Sequence, residues 1–223
     1  MNKELFFKAI IKFLFGFLIV SFLLFVSAGT FNYWNGWLLL SLLFIPMLVV
    51  GIIMFFKNPE LLKSRLNAKE EKKKKKMVLL YSAIMFIVGF VLAGLNYRYK
   101  WFELDNIVVI ISSVVFIFSY LIYAEILREN TYLSRTIGVK ETQKVIDTGL
   151  YKIVRHPMYA ITIILFLSMT LVLGSIFSFV VFLMYPLIIT KRIVNEEMIL
   201  KKELKGYKEY MKKVKYRIIP YIW

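Results

Sequence analysis

The sequence contains no cysteine and a single histidine, His156, among its 223 residues. The absence of cysteine excludes disulfides, thiol nucleophiles, iron–sulfur clusters and thiolate zinc sites. One histidine also argues against a metal site built from imidazoles, so we expect no resident metal. Any chemistry must therefore use His156, carboxylates, hydroxyl groups or a bound cofactor.

Acidic residues are scarce too, because 14 Asp and Glu stand against 30 Lys and Arg, which gives a formal net charge of +16. Hydrophobic residues make up 60% of the chain, aromatic residues 17%, and the mean hydropathy is +0.69. Soluble domains contain about 45–50% apolar residues. This composition therefore excludes a disordered chain and disfavours a soluble globular enzyme.

Long apolar runs account for this composition. Four of them span residues 9–31, 34–56, 77–95 and 106–124, and a longer apolar region covers 158–190 with an interruption at Leu173, Gly174 and Ser175. A helix needs about 20 apolar residues to cross a membrane, so each of the four runs suffices and the longer region predicts a hairpin with short arms. We predict an all-α integral membrane protein of about six membrane helices, with a helical tail after the hairpin.

The distribution of basic residues predicts the orientation. If the last two membrane segments form a hairpin, every Lys and Arg except Arg98 and Lys100 lies on the same side of the membrane. Basic loops face the cytoplasm, so we expect a multi-pass cell-membrane protein with both termini cytoplasmic. The first run is interpreted as a membrane helix rather than a signal peptide, because its apolar stretch exceeds a typical signal-peptide core.

A run of five lysines occupies residues 72–76. We interpret it as a topology anchor beside the third membrane helix rather than as a contact for anionic lipids. No aromatic residue interrupts the run to stack on bases, so we expect no nucleic-acid partner. The chain is divided into a four-helix membrane region, residues 1–127 with the basic loop 57–76, and a region 128–223 that carries the candidate chemistry.

The first candidate site is the segment Arg155-His156-Pro157 at the start of the hairpin. Proline suits the first turn of a helix, where its missing N–H costs nothing. His156 then lies near the helix N-terminus, where backbone N–H groups and the helix dipole favour an anion. The alternative is structural, with Arg155 a snorkelling anchor and His156 an incidental cap.

The second candidate site follows the hairpin. If its second arm continues as a helix, Arg192 and Glu196 lie on one face, and Glu197 and Lys201 form a similar pair. Gly206 predicts the helix end, and a short amphipathic helix follows with apolar positions at Tyr207, Tyr210, Met211 and Val214. Alternatively, this segment is a solvated charged helix with a tail lying on the membrane surface. A hairpin brings its two ends together, so we expect His156 and the carboxylates to share a pocket.

The combined pattern resembles the isoprenylcysteine carboxyl methyltransferase family and the related phospholipid N-methyltransferases. It comprises Gly149-x-Tyr151, Val154-Arg155-His156-Pro157-x-Tyr159, the hairpin, Arg192-x-x-x-Glu196-Glu197, Gly206-Tyr207-x-x-Tyr210 and Val214-x-Tyr216-Arg217-Ile218-Ile219-Pro220-x-x-Trp223. The resemblance covers residues 130–223, and its closing segment resembles prokaryotic members. Each piece alone is a weak signal, whereas the ordered set is specific.

This resemblance implies an integral-membrane methyltransferase that uses S-adenosylmethionine and has no Rossmann domain. It implies cofactor-binding roles for Tyr151, His156, Tyr159, Glu196, Glu197, Tyr210 and Arg217, and catalytic roles for Arg155 and Glu196. We therefore expect substitution of His156, Glu196 or Glu197 to weaken cofactor binding while the fold is retained.

Two departures from the family pattern bear on the substrate. Family members often have glycine two residues after the motif tyrosine, where this chain has Ile161. The Gly-x-Gly cofactor pattern of the phospholipid enzymes is not evident in the third apolar run, which disfavours a phospholipid acceptor. A carboxylate acceptor on a lipid-like or lipid-modified substrate is favoured because a carboxylate needs no general base. Another lipid, a quinone or a small hydrophobic acid are the alternatives.

Two other functions fit parts of the sequence. Membrane reductases of the sterol-reductase type carry a similar Arg-His-Pro-x-Tyr segment and use NADPH, although this chain is shorter than those enzymes. A membrane interaction protein without enzymatic activity fits the structural interpretations of the two candidate sites. Methyl transfer is an in-line displacement that mainly requires positioning of donor and acceptor, which suits a chain with one histidine and no cysteine.

Overall fold

The computed structural model describes residues 3–66, 73–132 and 143–223, and these ranges contain helices and no strand. The helices are α1 (Lys3–Ala28), α2 (Trp34–Lys57), α3 (Pro59–Leu66), α4 (Lys73–Tyr99), α5 (Asn106–Glu129), α6 (Pro157–Val172), α7 (Ile176–Phe182), α8 (Tyr185–Glu203) and α9 (Tyr207–Lys213). A 3₁₀ turn, Gly149–Lys152, precedes α6.

Five helical stretches are long and apolar enough to cross a membrane. They are α1, α2, the Met77–Tyr99 part of α4, α5, and the stretch Ile176–Glu203 that comprises α7 and α8. The shorter apolar helix α6 has 16 residues, which corresponds to a length of about 24 Å. The predicted class, an all-α integral membrane protein, is confirmed. Helix α8 continues past residue 190 to Glu203, which is the condition for Arg192 and Glu196 to share a helical face.

The predicted interruption of the hairpin is confirmed at Gly174. This residue has a φ of +70°, a conformation that glycine adopts without strain. Three side chains, from the N-cap of α2, from α2 and from α4, hold the turn through its carbonyls. The Tyr33 hydroxyl donates to Leu173 O at 2.6 Å, Asn35 Nδ2 to Val172 O at 2.9 Å, and Asn96 Nδ2 to Gly174 O at 3.3 Å.

Small residues on α4 allow other helices to approach closely. A Cβ at Gly94 would lie 2.7 Å from the backbone oxygen of Leu24 on α1, and a Cβ at Gly89 would overlap the ring of Phe182 on α7. The two glycines therefore face different neighbours, which explains why their spacing matches no simple two-helix contact pattern. Helix α4 thus packs between α1 and α7.

Helix α6 packs along α5, and Ile161 lies in this contact. Its side chain is 7% exposed and belongs to a buried cluster with Ile126 and Tyr151. The position where relatives often carry glycine therefore faces α5.

The outer surface of the bundle is apolar, as contact with lipid requires. On α1, for example, Phe7, Phe15 and Phe22 are all more than half exposed. Lys72 lies outside the described residues and the neighbouring lysine side chains are likewise not described, so the anchor role of residues 72–76 stays a prediction. The division of the chain at residue 127 also stays a prediction.

Candidate functional site

The loop before α6 is fastened to the end of α5. Gly149 has a φ of +46°, and a Cβ there would collide with the carboxylate of Glu129. The Thr148 hydroxyl donates to Glu129 Oε1 at 2.5 Å, and Asn130 Nδ2 donates to the hydroxyl of Tyr151 at 3.0 Å. These contacts direct Tyr151 into the protein, where it is 6% exposed.

His156 is the N-cap of α6 and Pro157 lies in its first turn, as the sequence predicts. The imidazole makes no capping hydrogen bond. Instead, the backbone N–H groups of Arg155 and His156 donate to the carbonyls of Tyr216 and Arg217 at 2.9 and 2.8 Å. The C-terminal tail therefore lies directly against the Arg-His-Pro segment.

One carboxylate, that of Glu197, joins α8 to this segment and to the tail. Glu197 is 1% exposed. Its Oε1 accepts from Arg155 Nε at 2.7 Å and lies 3.3 Å from His156 Nε2, while its Oε2 accepts from Arg217 Nε at 3.0 Å. A buried carboxylate is stable only when it is paired and hydrogen-bonded, and these three contacts meet that requirement. We call this group, Arg155, His156, Glu197 and Arg217, the buried ion cluster.

Arg155 also ties the buried ion cluster to the tail backbone. Its Nη1 donates to the carbonyls of Val214 and Lys215 at 2.8 and 2.7 Å.

The pairing of Glu197 with Lys201, expected from helix spacing, does not form among the described residues, and Lys201 is exposed. The reason is that Glu197 faces the interior, where Arg155 offers a stronger and less hydrated partner.

The neighbouring carboxylate, Glu196, belongs to a separate polar group. The hydroxyl of Tyr159 on α6 donates to Glu196 Oε2 at 2.6 Å, and Arg192 Nε donates to the same hydroxyl at 2.9 Å. Sequence spacing correctly places Arg192 and Glu196 on one face of α8, but a tyrosine hydroxyl bridges them. The Tyr159 ring also lies 5.7 Å from the ring of His156, nearly parallel to it.

A cleft lies beside these groups, and its space together with the open solvent at its mouth amounts to about 820 Å³. Six of the predicted site residues line it: Tyr151, Arg155, His156, Tyr159, Glu196 and Tyr210. Glu197 and Arg217 do not line the cleft and instead lie behind it in the buried ion cluster. The structure thus brings all the predicted residues together, but six of them line the cleft and the other two lie behind it.

The cleft contains several buried phenols from the 3₁₀ turn and from α9. The hydroxyl of Tyr210 donates to the carbonyl of Tyr151 at 2.7 Å. Burial raises the pKa of Tyr151, Tyr207 and Tyr210 above the ordinary tyrosine value, and nearby acidic groups raise it further. These phenols therefore stay neutral at physiological pH.

Tyr207 is a cleft residue that the sequence interpretation did not select. It was assigned to the apolar face of α9 and to the family pattern without a binding role, yet it lines the cleft and its hydroxyl is buried without a hydrogen-bond partner among the described residues. Gly206, with a φ of +85°, turns the chain after α8 so that Tyr207 packs back against the site. The sequence feature that could have identified Tyr207 as a cleft residue is its position directly after this helix-ending glycine.

The cleft wall presents groups that suit a polar cofactor better than a metal. Among the described residues, no group of three or more His, Asp or Glu could hold a metal ion. The wall instead combines the Glu196 carboxylate, the His156 imidazole and the free Tyr207 hydroxyl with the apolar side chains of Met158 and Leu200.

Comparison with known families gives one finding. Residues 106–206 match the family model described as phospholipid methyltransferase. The match begins at the first residue of α5 and ends at Gly206, so it includes the Arg-His-Pro segment and both glutamates. No curated protein matches the chain.

Proposed function

Residues 106–206 of this chain match the phospholipid methyltransferase family model, and from that premise we propose that the protein is a membrane methyltransferase of the phospholipid and isoprenylcysteine type. It transfers a methyl group from S-adenosylmethionine to a lipidic acceptor. The observation that carries the proposal is the cleft in which His156, Tyr159 and Glu196 meet beside a bilayer-spanning bundle.

The groups on the cleft wall fit S-adenosylmethionine. The cofactor combines ribose hydroxyls, an adenine ring and a methionine carboxylate, and its sulfonium sulfur carries the methyl group that a nucleophile displaces in line. Glu196 offers acceptors for ribose hydroxyls and a negative charge for a sulfonium. The free hydroxyl of Tyr207 offers a further hydrogen bond.

In this proposal, Arg155 and Glu197 act by holding the elements around the cleft in place. Both side chains of the pair are buried, and their contacts fix the start of α6, the middle of α8 and the C-terminal tail relative to one another. An in-line displacement requires donor and acceptor to be held at a defined distance and angle. The buried ion cluster therefore supports the geometry of the cleft, while Glu196, His156 and the tyrosines contact the cofactor.

We propose a carboxylate on a lipid-like molecule as the acceptor. A carboxylate is ionised at physiological pH and needs no general base. The phenols of the cleft stay neutral, so they act as hydrogen-bond donors rather than bases. Apolar residues such as Met158, Leu200 and Leu204 line part of the cleft and suit the hydrocarbon portion of a lipid that enters from the bilayer.

The proposed location is the cytoplasmic face of the cell membrane, with both termini on that side. The positive-inside rule supports it, since the basic residues at the start of α1, around α3, from the end of α5 to Arg155, and from Lys191 onward then share one side. The cleft lies at the same end of the bundle, where the start of α6 meets α8.

Calorimetric titration of the detergent-solubilised protein tests the proposal. We expect S-adenosylhomocysteine to bind and NADPH not to bind. Incubation with methyl-labelled S-adenosylmethionine and a lipid extract should then transfer label to a lipid that becomes base-labile, as a methyl ester does. Binding of NADPH alone would support a reductase, and binding of neither nucleotide would contradict both enzymatic assignments.

A further inference from the structure

Arg65 on the short helix α3 is half-buried, and the contacts of the described residues leave two of its guanidinium nitrogens unused. Its Nη1 donates to the hydroxyl of Tyr123 on α5 across 3.4 Å, which is a long contact. Its Nε and Nη2 are buried and have no hydrogen-bond partner among the described residues. The helix that presents Arg65 is anchored by the buried side chains of Leu61 and Leu62.

A cation in this state is costly, because burial removes water from a permanently charged group and nothing replaces that water. Glu129 and Glu196, which act on the Tyr151 hydroxyl as Arg65 does, accept hydrogen bonds from Thr148 and Tyr159 instead. No salt bridge of the described residues includes Arg65. Within the described ranges, the charge of Arg65 therefore has no counter-ion.

The two free nitrogens define which counter-ion fits. The Nε and Nη2 N–H groups lie on the same edge of a guanidinium and point in parallel, so together they match two oxygens of one carboxylate or phosphate. A single acceptor atom would leave one of the two donors unsatisfied. The free edge of Arg65 is therefore shaped for an oxyanion.

Arg65 lies close to the methyl-transfer cleft. Its partner Tyr123 packs against the cluster of Ile126, Tyr151 and Ile161, and Tyr151 forms part of the cleft wall. The charge of Arg65 also acts on the Tyr151 hydroxyl, where it lowers the pKa against the larger raising effect of burial. An anion at Arg65 would thus lie near Tyr151.

We propose that the Nε and Nη2 edge of Arg65 binds the oxyanion headgroup of a lipidic acceptor, a carboxylate or a phosphate, and so selects anionic lipids as substrates. This inference rests on the proposed function only in treating the bound lipid as the acceptor. Arg65 is a positioning residue in this scheme, because it contacts the headgroup and leaves the methyl donor to the cleft.

Thermal unfolding and equilibrium binding in a non-ionic detergent test this proposal. The probes are dodecyl phosphate, N-dodecanoylglycine, uncharged dodecanol and inorganic phosphate. We expect one or both alkyl anions to bind and stabilise the protein, with dodecanol and inorganic phosphate much weaker. Preference for dodecyl phosphate would identify a phosphate headgroup, and preference for N-dodecanoylglycine a carboxylate headgroup. Failure of both alkyl anions, or equal binding of inorganic phosphate, would overturn the proposal.

The variant Arg65→Gln should weaken binding of the alkyl anion by about tenfold or more, since it removes a charged bidentate contact. Without anions, it should unfold at the same or a higher temperature, because an unpaired buried charge has been removed. Lys63→Gln is the matched control, as this lysine is exposed on the same helix. Equal losses in the two variants, or a less stable Arg65→Gln protein without anions, would contradict the proposal.

Titration with S-adenosylhomocysteine separates this inference from the proposed function. If the parent binds S-adenosylhomocysteine but no alkyl anion, only the role of Arg65 fails. If it binds the alkyl anion through Arg65 but no S-adenosylhomocysteine, the anion site stands and the methyltransferase assignment fails. Arg65→Gln should leave S-adenosylhomocysteine affinity unchanged and raise KM for the lipid more than it lowers kcat.

Discussion

The two ends of helix α6 are held in different ways. At the Gly174 turn, neutral donors from Tyr33, Asn35 and Asn96 bind backbone carbonyls. At the start of α6, a buried carboxylate is instead surrounded by two guanidiniums and an imidazole. Neutral hydrogen bonds suffice to hold a turn, whereas buried charges are costly and are concentrated where a protein performs chemistry.

Cavity size alone does not distinguish these ends. The space beside the Gly174 turn, about 1550 Å³, is larger than the cleft of about 820 Å³. Its charged residues are exposed, however, and Lys100 pairs with Glu103 at 3.6 Å. The cleft at the other end has a buried charge network and an unpartnered phenol on its wall. Burial and unused hydrogen-bonding capacity mark the site better than volume does.

The largest expected effect comes from removing the carboxylate at the centre of the buried ion cluster. Glu197→Ala leaves Arg155 and Arg217 without their counter-ion and should destabilise the protein by about 3–5 kcal/mol. The sequence interpretation expected the fold to be retained in a Glu197 variant, and the burial of this residue changes that expectation. Thermal unfolding in detergent measures the effect. Glu203→Ala, on an exposed position of α8, is the control and should unfold like the parent.

The second-largest effect is expected on cofactor affinity, from a substitution of Glu196 that leaves the stability of the protein unchanged. Glu196→Gln removes a negative charge from the cleft wall while keeping the size of the side chain. We expect S-adenosylhomocysteine affinity to fall by about ten- to a hundredfold, the usual contribution of a charged hydrogen bond. Calorimetric titration measures the affinity, and Glu203→Gln serves as the control. Unchanged affinity in Glu196→Gln would remove Glu196 from the cofactor site.

A smaller effect on stability, with none on binding, is expected at the Gly174 turn. Asn35→Ala deletes the hydrogen bond to the Val172 carbonyl and should destabilise the protein by about 1 kcal/mol. Asn32→Ala is the control, since Asn32 is exposed in the preceding loop. Both variants should bind S-adenosylhomocysteine like the parent. A loss of cofactor affinity in Asn35→Ala would mean that the two ends of α6 are coupled.

The smallest perturbation is a single cysteine substitution near each end of α6. It tests on which side of the membrane each end lies. Single cysteines at Arg98 and Lys212 replace exposed residues in a chain without cysteine, so neither should change stability. An impermeant thiol reagent should label the Lys212 position only from the cytoplasm and the Arg98 position only from outside. Labelling of both positions from the same side would refute the proposed topology.

Local sequence features predicted the course of the chain. The long apolar runs predicted the membrane helices, Gly174 predicted the break in the hairpin, and Pro157 predicted the start of α6. Each of these features acts within a few residues: apolar length matches the membrane, glycine tolerates positive φ, and proline fits a first helical turn. The residue types and order of the candidate site were recognisable for the same reason.

Only the tertiary structure decided which carboxylate faces the cleft and which is buried in the ion cluster. Consecutive residues of a helix point about 100° apart, so Glu196 and Glu197 cannot face the same space. The rotation of α8 that separates them is set by the packing of Ile189 and Ile193 into the core. The same long-range packing brings Arg65 beside Tyr123 and the tail carbonyls onto Arg155. Sequence spacing carries no information on such contacts, because they join segments that meet only after the helices have packed.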